Sequence, residues 1–206
     1  IYFRVGRYED AVKVNTLAAE KDEAYIAACK AQGFYPLAYY SHNIHFLWTS
    51  SEMLGRYKAA KDAAARVIKA SDAGLPMAAS LPPVQLYRVV PITTYVRFGK
   101  WDEVLKQKMP PADQKLTTAM FHYARGFAYA NKRDFKRAKA ERAILAKMVA
   151  NKQFTAIDVF GTPGTKMAQL GVVLIDGEIA RVRGKLPKAL GYFKLANDLY
   201  NAIPYT

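Results

Sequence analysis

Two histidines three residues apart are the side chains in this sequence best placed to share a ligand. His42 and His45 belong to a segment with a helical pattern, and residues three apart lie on one helix face. Two imidazoles can bind a metal ion, but a stable site needs a third or fourth ligand, and the remaining histidine, His122, lies two helical hairpins away. The pair therefore has two interpretations. It consists either of polar side chains hydrogen-bonded in a groove or core, or of part of a metal- or ligand-binding site that other residues complete.

No other arrangement of residues in the sequence points to catalysis. The segment 161–166 superficially resembles a phosphate-binding loop, but it lacks the Gly-Lys-Ser/Thr ending, and Pro163 removes a backbone donor that such a loop needs. The sequence also shows no nucleotide-binding fingerprint, no paired-carboxylate pattern and no serine–histidine–acid set. We therefore predict a protein without catalytic residues, without a bound metal and without a cofactor.

Basic residues are concentrated in one part of the chain. Of the net charge of +14, the segment 115–155 carries +8, with ten basic and two acidic residues. The helix 132–147 presents most of them, and the candidate patch for an anionic partner consists of Lys132, Arg133, Lys136, Arg137 and Lys139. Binding through phosphates would be strongly salt-dependent. The other interpretation is a solvated outer face, and because interleaved aromatic residues for base stacking are not evident, nucleic acid is not the expected partner.

Composition restricts the class of protein. The chain has 206 residues, 51% of them hydrophobic, and it contains no apolar run long enough to cross a membrane. Cys29 is the single cysteine, so a disulfide framework and a cysteine-based metal site are both ruled out. A reducing compartment, the cytoplasm, is favoured. The periplasm and secretion stay compatible, because a protein with a large core needs no disulfides.

A short pattern recurs five times and organises the chain. It consists of a glycine, an aromatic or large residue two positions later, and a small residue three positions after that. The copies are Gly6-Tyr8-Ala11, Gly55-Tyr57-Ala60, Gly99-Trp101-Val104, Arg133-Phe135-Ala138 (without the glycine) and Gly184-Leu186-Ala189. Glycine lets the chain reverse between two helices, and the small residue lets them approach closely. The pattern therefore predicts an internal repeat of helical hairpins, which must stack to bury their apolar faces.

The repeat register divides the chain into helices and linkers. Asp22 is expected to cap a short helix that Gly33 ends, Ser41 to cap the helix 42–54, and Pro91 to kink a later helix or start a new turn. The second helices of the hairpins are predicted at 8–20, 57–71, 101–108, 134–151 and 186–201, the remaining first helices at 84–98, 113–130 and 166–183, and the linkers at 34–37, 74–83 and 154–165.

The segment 166–183 has a competing local interpretation. The run from Val172 to Gly177 could be a strand entering an Asp-Gly hairpin turn. However, Gly177 precedes Ala189 by twelve residues, as Gly126 precedes Ala138. A glycine inside a helix costs about 1 kcal/mol relative to alanine, so its recurrence at one register position indicates close helix packing. We therefore predict a helix.

In this register the chain resembles a tetratricopeptide repeat protein. The residues that carry the resemblance are Gly126, Tyr129, Phe135 and Ala138 in one hairpin, and Gly177, Ala189, Phe193 and Ala196 in the next. Trp48 departs from the family pattern, and the turn spacings are longer than the regular 34 residues. The runs 2–11, 40–47 and 199–205 are similar to a group of uncharacterised bacterial tetratricopeptide repeat proteins.

The resemblance implies an all-α fold, an α-solenoid of stacked helix-turn-helix repeats with a right-handed superhelix, in one domain spanning 1–206. It further implies a non-enzymatic scaffold that binds a protein or peptide along the concave face lined by the first helices. The residues expected to line that face are His42, Asn43, His45, Tyr87, Arg88, Tyr123 and Tyr129. Two alternatives stay open, a ligand- or metal-binding role at His42 and His45 within a larger enzyme or sensor, and an anionic partner on the helix 132–147.

Both ends of the chain look like cuts through a longer array. Residues 1–5 have the pattern of the last turn of a helix, and 203–206 follow a helix directly. Because repeat arrays need terminal caps, we expect apolar residues to be exposed on the first and last helices.

Overall fold

The computed structural model describes residues 1–31, 35–72, 82–159 and 161–203, and this part of the chain is all-helical apart from one very short β-hairpin. The chain divides into two compact units, Ile1–Phe98 and Gly99–Thr206. The all-α class predicted from the sequence is confirmed, and within each unit helices pack in neighbouring pairs.

The first unit contains a short 3-10 helix (Tyr2–Val5), α1 (Tyr8–Cys29), a π-helix (Pro36–Tyr40), α2 (Ser41–Met53), α3 (Tyr57–Ser71) and α4 (Pro82–Arg97). Consecutive α-helices pack in three pairs, α1 against α2, α2 against α3, and α3 against α4. The core lies between these four helices, where Ile44, Val67 and Val90 are buried.

The second unit consists of two long hairpins and a short leading helix. The elements are α5 (Trp101–Lys106), α6 (Lys115–Asn131), α7 (Phe135–Val149), α8 (Lys152–Thr155), β1 (Asp158–Val159), β2 (Thr162–Pro163), α9 (Gly164–Val182) and α10 (Leu186–Asn201). Helix α6 packs against α7, α9 against α10, and α9 also against both α6 and α7. The antiparallel strands pair Asp158 with Pro163 and Val159 with Thr162.

The five predicted turns are confirmed by the backbone. Each turn residue of the pattern has a positive φ, between 62° and 76°, and this includes Arg133, which stands where the other copies have glycine. The small residue five positions later is buried in every copy, from Ala11 to Ala189. The turn allows reversal and the small residue allows close approach, as the pattern predicted.

The predicted helix at 166–183 is confirmed as α9, and its glycines make the close contacts that the register required. A Cβ on Gly126 would lie 2.6 Å from Cδ1 of Ile175, and one on Gly177 would lie 2.7 Å from Cε1 of Phe193. No side chain fits at either position without displacing a neighbour, so α6, α9 and α10 approach each other more closely than alanine would allow.

Three local expectations in the first unit are wrong. The chain does not break near Asp22, because α1 runs unbroken to Cys29 and the Asp22 carboxylate accepts hydrogen bonds from more distant residues. Residues 35–37 are not a linker, since a π-helix begins at Pro36, where the missing backbone donor does no harm. Ser41 is therefore no N-cap, and its buried hydroxyl donates to the Pro36 carbonyl instead.

The remaining boundaries differ in smaller ways. Pro91 lies inside α4, which continues through it, and α5 ends two residues earlier than predicted, at Lys106. The predicted linker 154–165 contains the β-hairpin and the first residues of α9. The linker at 74–83 falls mostly, and Gly33 entirely, outside the described residues. Exposed apolar side chains do occur on the first and last helices, among them Val14, Leu17, Leu186 and Leu190. Among the described residues no helix combines the length and apolarity needed to cross a membrane.

Candidate functional site

The two histidines on α2 occupy different environments. His42 is exposed, and its ring lies edge-on to Phe46 with the centroids 4.8 Å apart. His45 is partly buried, with ring centroids 4.9 Å from Trp48 and 5.9 Å from Tyr87. Helix α2 places both histidines and Trp48 on neighbouring turns, and α4 adds Tyr87 from the other side.

Burial decides the charge of His45. Removal from water, with a smaller contribution from nearby His42, lowers the pKa of His45 to about 4. The imidazole is therefore neutral at physiological pH and packs as an aromatic ring. Within the described ranges no group of three His, Cys, Asp or Glu residues is close enough to hold a metal ion, so these residues supply no third ligand to the pair.

Asn43 is engaged in holding α1 against α2. Its amide donates to the Asp22 carboxylate at 2.8 Å, and the Tyr35 hydroxyl donates to the same carboxylate at 2.7 Å. The next residue of α1, Glu23, accepts hydrogen bonds from Tyr40 and from Arg66. These carboxylates join α1 to the π-helix, α2 and α3, so Asn43 positions the helices rather than offering its amide to a ligand.

The other predicted binding residues have surroundings of their own. Arg88 donates to Asp72 at 2.7 Å and also contacts the Ile68 carbonyl, which ties α4 to the end of α3. Tyr129 is buried in the second unit, where Arg125 donates to its hydroxyl. Burial, followed by the charge of Glu178, raises the pKa of Tyr123 to about 12. Of the seven predicted residues, the structure therefore brings His45 and Tyr87 into contact, while His42 faces Phe46.

A groove of about 280 Å³ lies between the 3-10 helix, α1 and α2. Its walls are mostly apolar, with an imidazole and an amide at the polar positions. Asn15 donates to the Ala11 carbonyl, which leaves its side-chain oxygen as an acceptor. Phe3 bridges the walls, with ring centroids 5.4 Å from Tyr8 and 6.1 Å from Phe46. The lining residues include Tyr2, Phe3, Val14, Asn15, His42 and Phe46.

The groove corresponds to a position that is filled in two other hairpins. Three residues after the small residue of the pattern, Ala63 on α3 is 2% exposed and Glu141 on α7 is 8% exposed, because α2 and α6 cover them. The equivalent residue on α1, Val14, is 43% exposed. In the described residues, the segment that contacts α1 on this side is the 3-10 helix Tyr2–Val5. Sequence reasoning assigned His42 but missed Val14, although the register of the pattern identifies it.

A half-buried carboxyl group lies near the other end of α2. Glu52 has one oxygen, Oε1, that is shielded from water and accepts no hydrogen bond from any described residue. Burial raises the pKa of Glu52 above its ordinary value, although Thr94, Arg97 and Trp48 act in the opposite direction. Trp48 donates through its indole nitrogen to the Thr94 hydroxyl at 2.6 Å. One oxygen of the Glu52 carboxyl is thus left without a hydrogen bond from the described residues.

The third histidine forms part of a polar cluster in the second unit. Burial alone would raise the pKa of Glu141, but hydrogen bonds from His122 and Arg125 outweigh it and hold the pKa below its usual range. His122 Nδ1 lies 2.6 Å from Glu141 Oε2, and Arg125 Nε lies 2.8 Å from Oε1. These groups satisfy one another between α6 and α7, and they hold the two helices of this hairpin together.

The predicted basic patch is partly neutralised. Lys132 donates to Asp102 at 2.7 Å, and Arg137 pairs with Asp134, which caps α7. Lys136 and Lys139 are exposed and make no ion pair with any described residue. The exposed charge on this face is therefore smaller than the sequence count indicated.

Comparisons of this chain with protein-family models, with curated proteins and with solved structures gave no match. The groove and the clusters above are accordingly interpreted from their own geometry.

Proposed function

We propose that the protein is a non-enzymatic scaffold of the tetratricopeptide-like solenoid type, and that its first unit binds an α-helical segment of another protein. The binding site is the groove lined by Phe3, Val14, His42 and Phe46. One observation carries this proposal. In α3 and α7 the position equivalent to Val14 is covered by a helix, and in α1 it is open.

The chemistry of the groove favours an amphipathic helix. Phe3 and Phe46 offer aromatic surface, which supports binding through a few buried anchors. His42 and the Asn15 oxygen offer hydrogen bonds at the rim. A helix laid in an apolar groove is a common mode of peptide recognition, with anchors spaced three and four residues apart. The absence of the usual catalytic residue sets in the sequence favours binding over catalysis.

The test is titration of the protein with a labelled helical peptide. The sequence 115–131, locked as a helix by a hydrocarbon staple, is a suitable probe because in this chain it covers the equivalent face of α7. We expect saturable binding by fluorescence anisotropy, and at least tenfold weaker binding to the Val14→Lys variant. Leu190→Lys is the matched control, since Leu190 is an exposed apolar residue of α10.

Two results would refute the proposal. Equal affinity of the parent and the Val14→Lys variant would mean that the peptide binds elsewhere. Concentration-dependent dimerisation of the parent, abolished by Val14→Lys, would identify a second copy of the chain as the occupant. Circular dichroism of each variant shows whether the fold is retained.

A further inference from the structure

Two arginines from successive turns of the second unit surround one phenyl ring. The guanidinium carbon of Arg183 lies 4.4 Å from the centroid of Phe135, and that of Arg133 lies 6.0 Å from it. Arg133 also donates to the Val182 carbonyl at 3.3 Å, which joins the α6–α7 turn to the end of α9. Both arginines are exposed, so the ring and the carbonyl fix two guanidinium groups at the surface.

Arg133 occupies a backbone conformation that the other copies of the pattern give to glycine. Its φ is 62°, while Gly6, Gly55, Gly99 and Gly184 have values from 64° to 76° at the equivalent positions. A side chain in the left-handed region is strained, and such strain is concentrated at functional sites. The side chain of Arg133 is therefore what distinguishes this copy of the turn from the other four.

The neighbouring carboxylates do not neutralise these arginines. Asp134 pairs with Arg137, Glu178 with Arg181, and Asp102 with Lys132. Within the part of the chain that the structure describes, Arg133 and Arg183 form no ion pair, although the second unit holds 19 basic and 9 acidic residues. Positive charge is therefore left exposed at the edge where the two turns meet.

The geometry also selects the kind of anion. The guanidinium groups lie over the Phe135 ring, which leaves that ring unavailable for stacking on a nucleic-acid base. What remains available are N–H donors in a planar fork, which match carboxylate and phosphate oxygens. Two such forks held around one ring fit two adjacent oxyanions better than a single one.

We propose that Arg133 and Arg183 form a binding site for an acidic protein segment that carries adjacent carboxylate or phosphate side chains. Lys136 on the first turn of α7 and Lys185 before α10 strengthen the positive field around the pair. This site lies in the second unit and is independent of the groove in the first.

The test uses the intact chain and two fluorescein-labelled peptides, one containing four consecutive glutamates and one containing two adjacent phosphoserines, at low salt. The variant Arg133→Gly/Arg183→Gln removes both forks, and glycine suits the turn at 133. The control Lys13→Gln/Lys58→Gln removes the same charge from exposed positions of the first unit. We expect at least tenfold weaker binding for the arginine variant and less than threefold for the control.

Each outcome decides the proposal. Tighter binding of one peptide than the other identifies carboxylate or phosphate as the preferred source of the oxyanions. Equal weakening by both double variants would show a response to net charge alone and would overturn it. The proposal would also be overturned if neither peptide bound. The same holds if a single-stranded oligonucleotide of equal charge bound more tightly than the peptides and required the two arginines. The variant Arg133→Lys/Arg183→Lys keeps the charge, and its failure to weaken binding would overturn the role of the planar forks.

Discussion

Stability of the first unit should fall in mild acid because of His45. In the unfolded chain His45 has the ordinary histidine pKa of about 6.5, whereas in the folded protein burial beside Trp48 and Tyr87 lowers the pKa of His45 to about 4. A depressed pKa contributes stability that is present above pH 6.5 and is lost as the pH falls through 4. One pKa unit corresponds to about 1.4 kcal/mol, so the loss is about 2 kcal/mol at pH 5 and about 3 kcal/mol below pH 3.

The measurement compares the parent with His45→Phe, which keeps an aromatic ring between Trp48 and Tyr87 but cannot accept a proton. Urea unfolding is followed by the fluorescence of Trp48 in a Trp101→Phe background, so that the signal reports on the first unit. Between pH 7.5 and pH 5 the difference in unfolding free energy between parent and variant should change by about 2 kcal/mol in favour of the variant.

The matched control is His42→Phe, which makes the same substitution at an exposed ring of α2 and keeps His45, so its stability should still fall at pH 5. The NMR titration of the His45 ring is an independent check. A folded-state midpoint near 6.5, or parallel pH dependence of the parent and the His45→Phe variant, would refute the argument from burial.

Two further substitutions test buried contacts. Because burial raises the pKa of Glu52, the stability that its protonated form contributes is lost as pH rises through that pKa. The substitution Glu52→Gln should therefore stabilise the first unit by about 1 kcal/mol at pH 7.5 and by less at pH 4. Urea unfolding at the two pH values measures the difference. The exposed Glu20→Gln is the control, and a gain that is the same at both pH values would contradict the reasoning. Gly177→Ala should destabilise the second unit by about 1–3 kcal/mol, because the added methyl group would collide with Phe193. Gly191 has open space around it, so Gly191→Ala should stabilise the unit by up to about 1 kcal/mol. Both are measured by thermal unfolding, and a gain in stability for both variants would contradict the close contact at Gly177.

The turns and the helix pairs were predictable because their determinants are local. A residue with positive φ at the turn and a small residue five positions later occur within one short window, and this register correctly selected a helix at 166–183. Where the prediction was wrong, the deciding partner lay further away. Asp22 looked like a cap because the sequence does not show that Tyr35 and Asn43 reach its carboxylate.

The candidate sites depended even more on distant contacts. His45 was identifiable as a polar residue on α2, but its burial depends on Tyr87, which α4 supplies. Arg133 belonged to the predicted basic patch, but Arg183 did not. The two arginines are 50 residues apart in the sequence and meet at Phe135 only because α9 packs against α6 and α7. Charge counts cannot show which basic residues are already paired, as Lys132 and Arg137 are.

The glycines of α9 also have a consequence for the order in which the second unit folds. Gly171 and Gly177 each lower the intrinsic helix propensity by about 1 kcal/mol, and the β-branched residues between them favour a strand. The segment becomes helical because Leu145 on α7 and Phe193 on α10 close over its glycines. During synthesis α7 is available before α9, but α10 is not. The interval before α10 leaves the ribosome is therefore when this strand-prone segment is most exposed to misfolding.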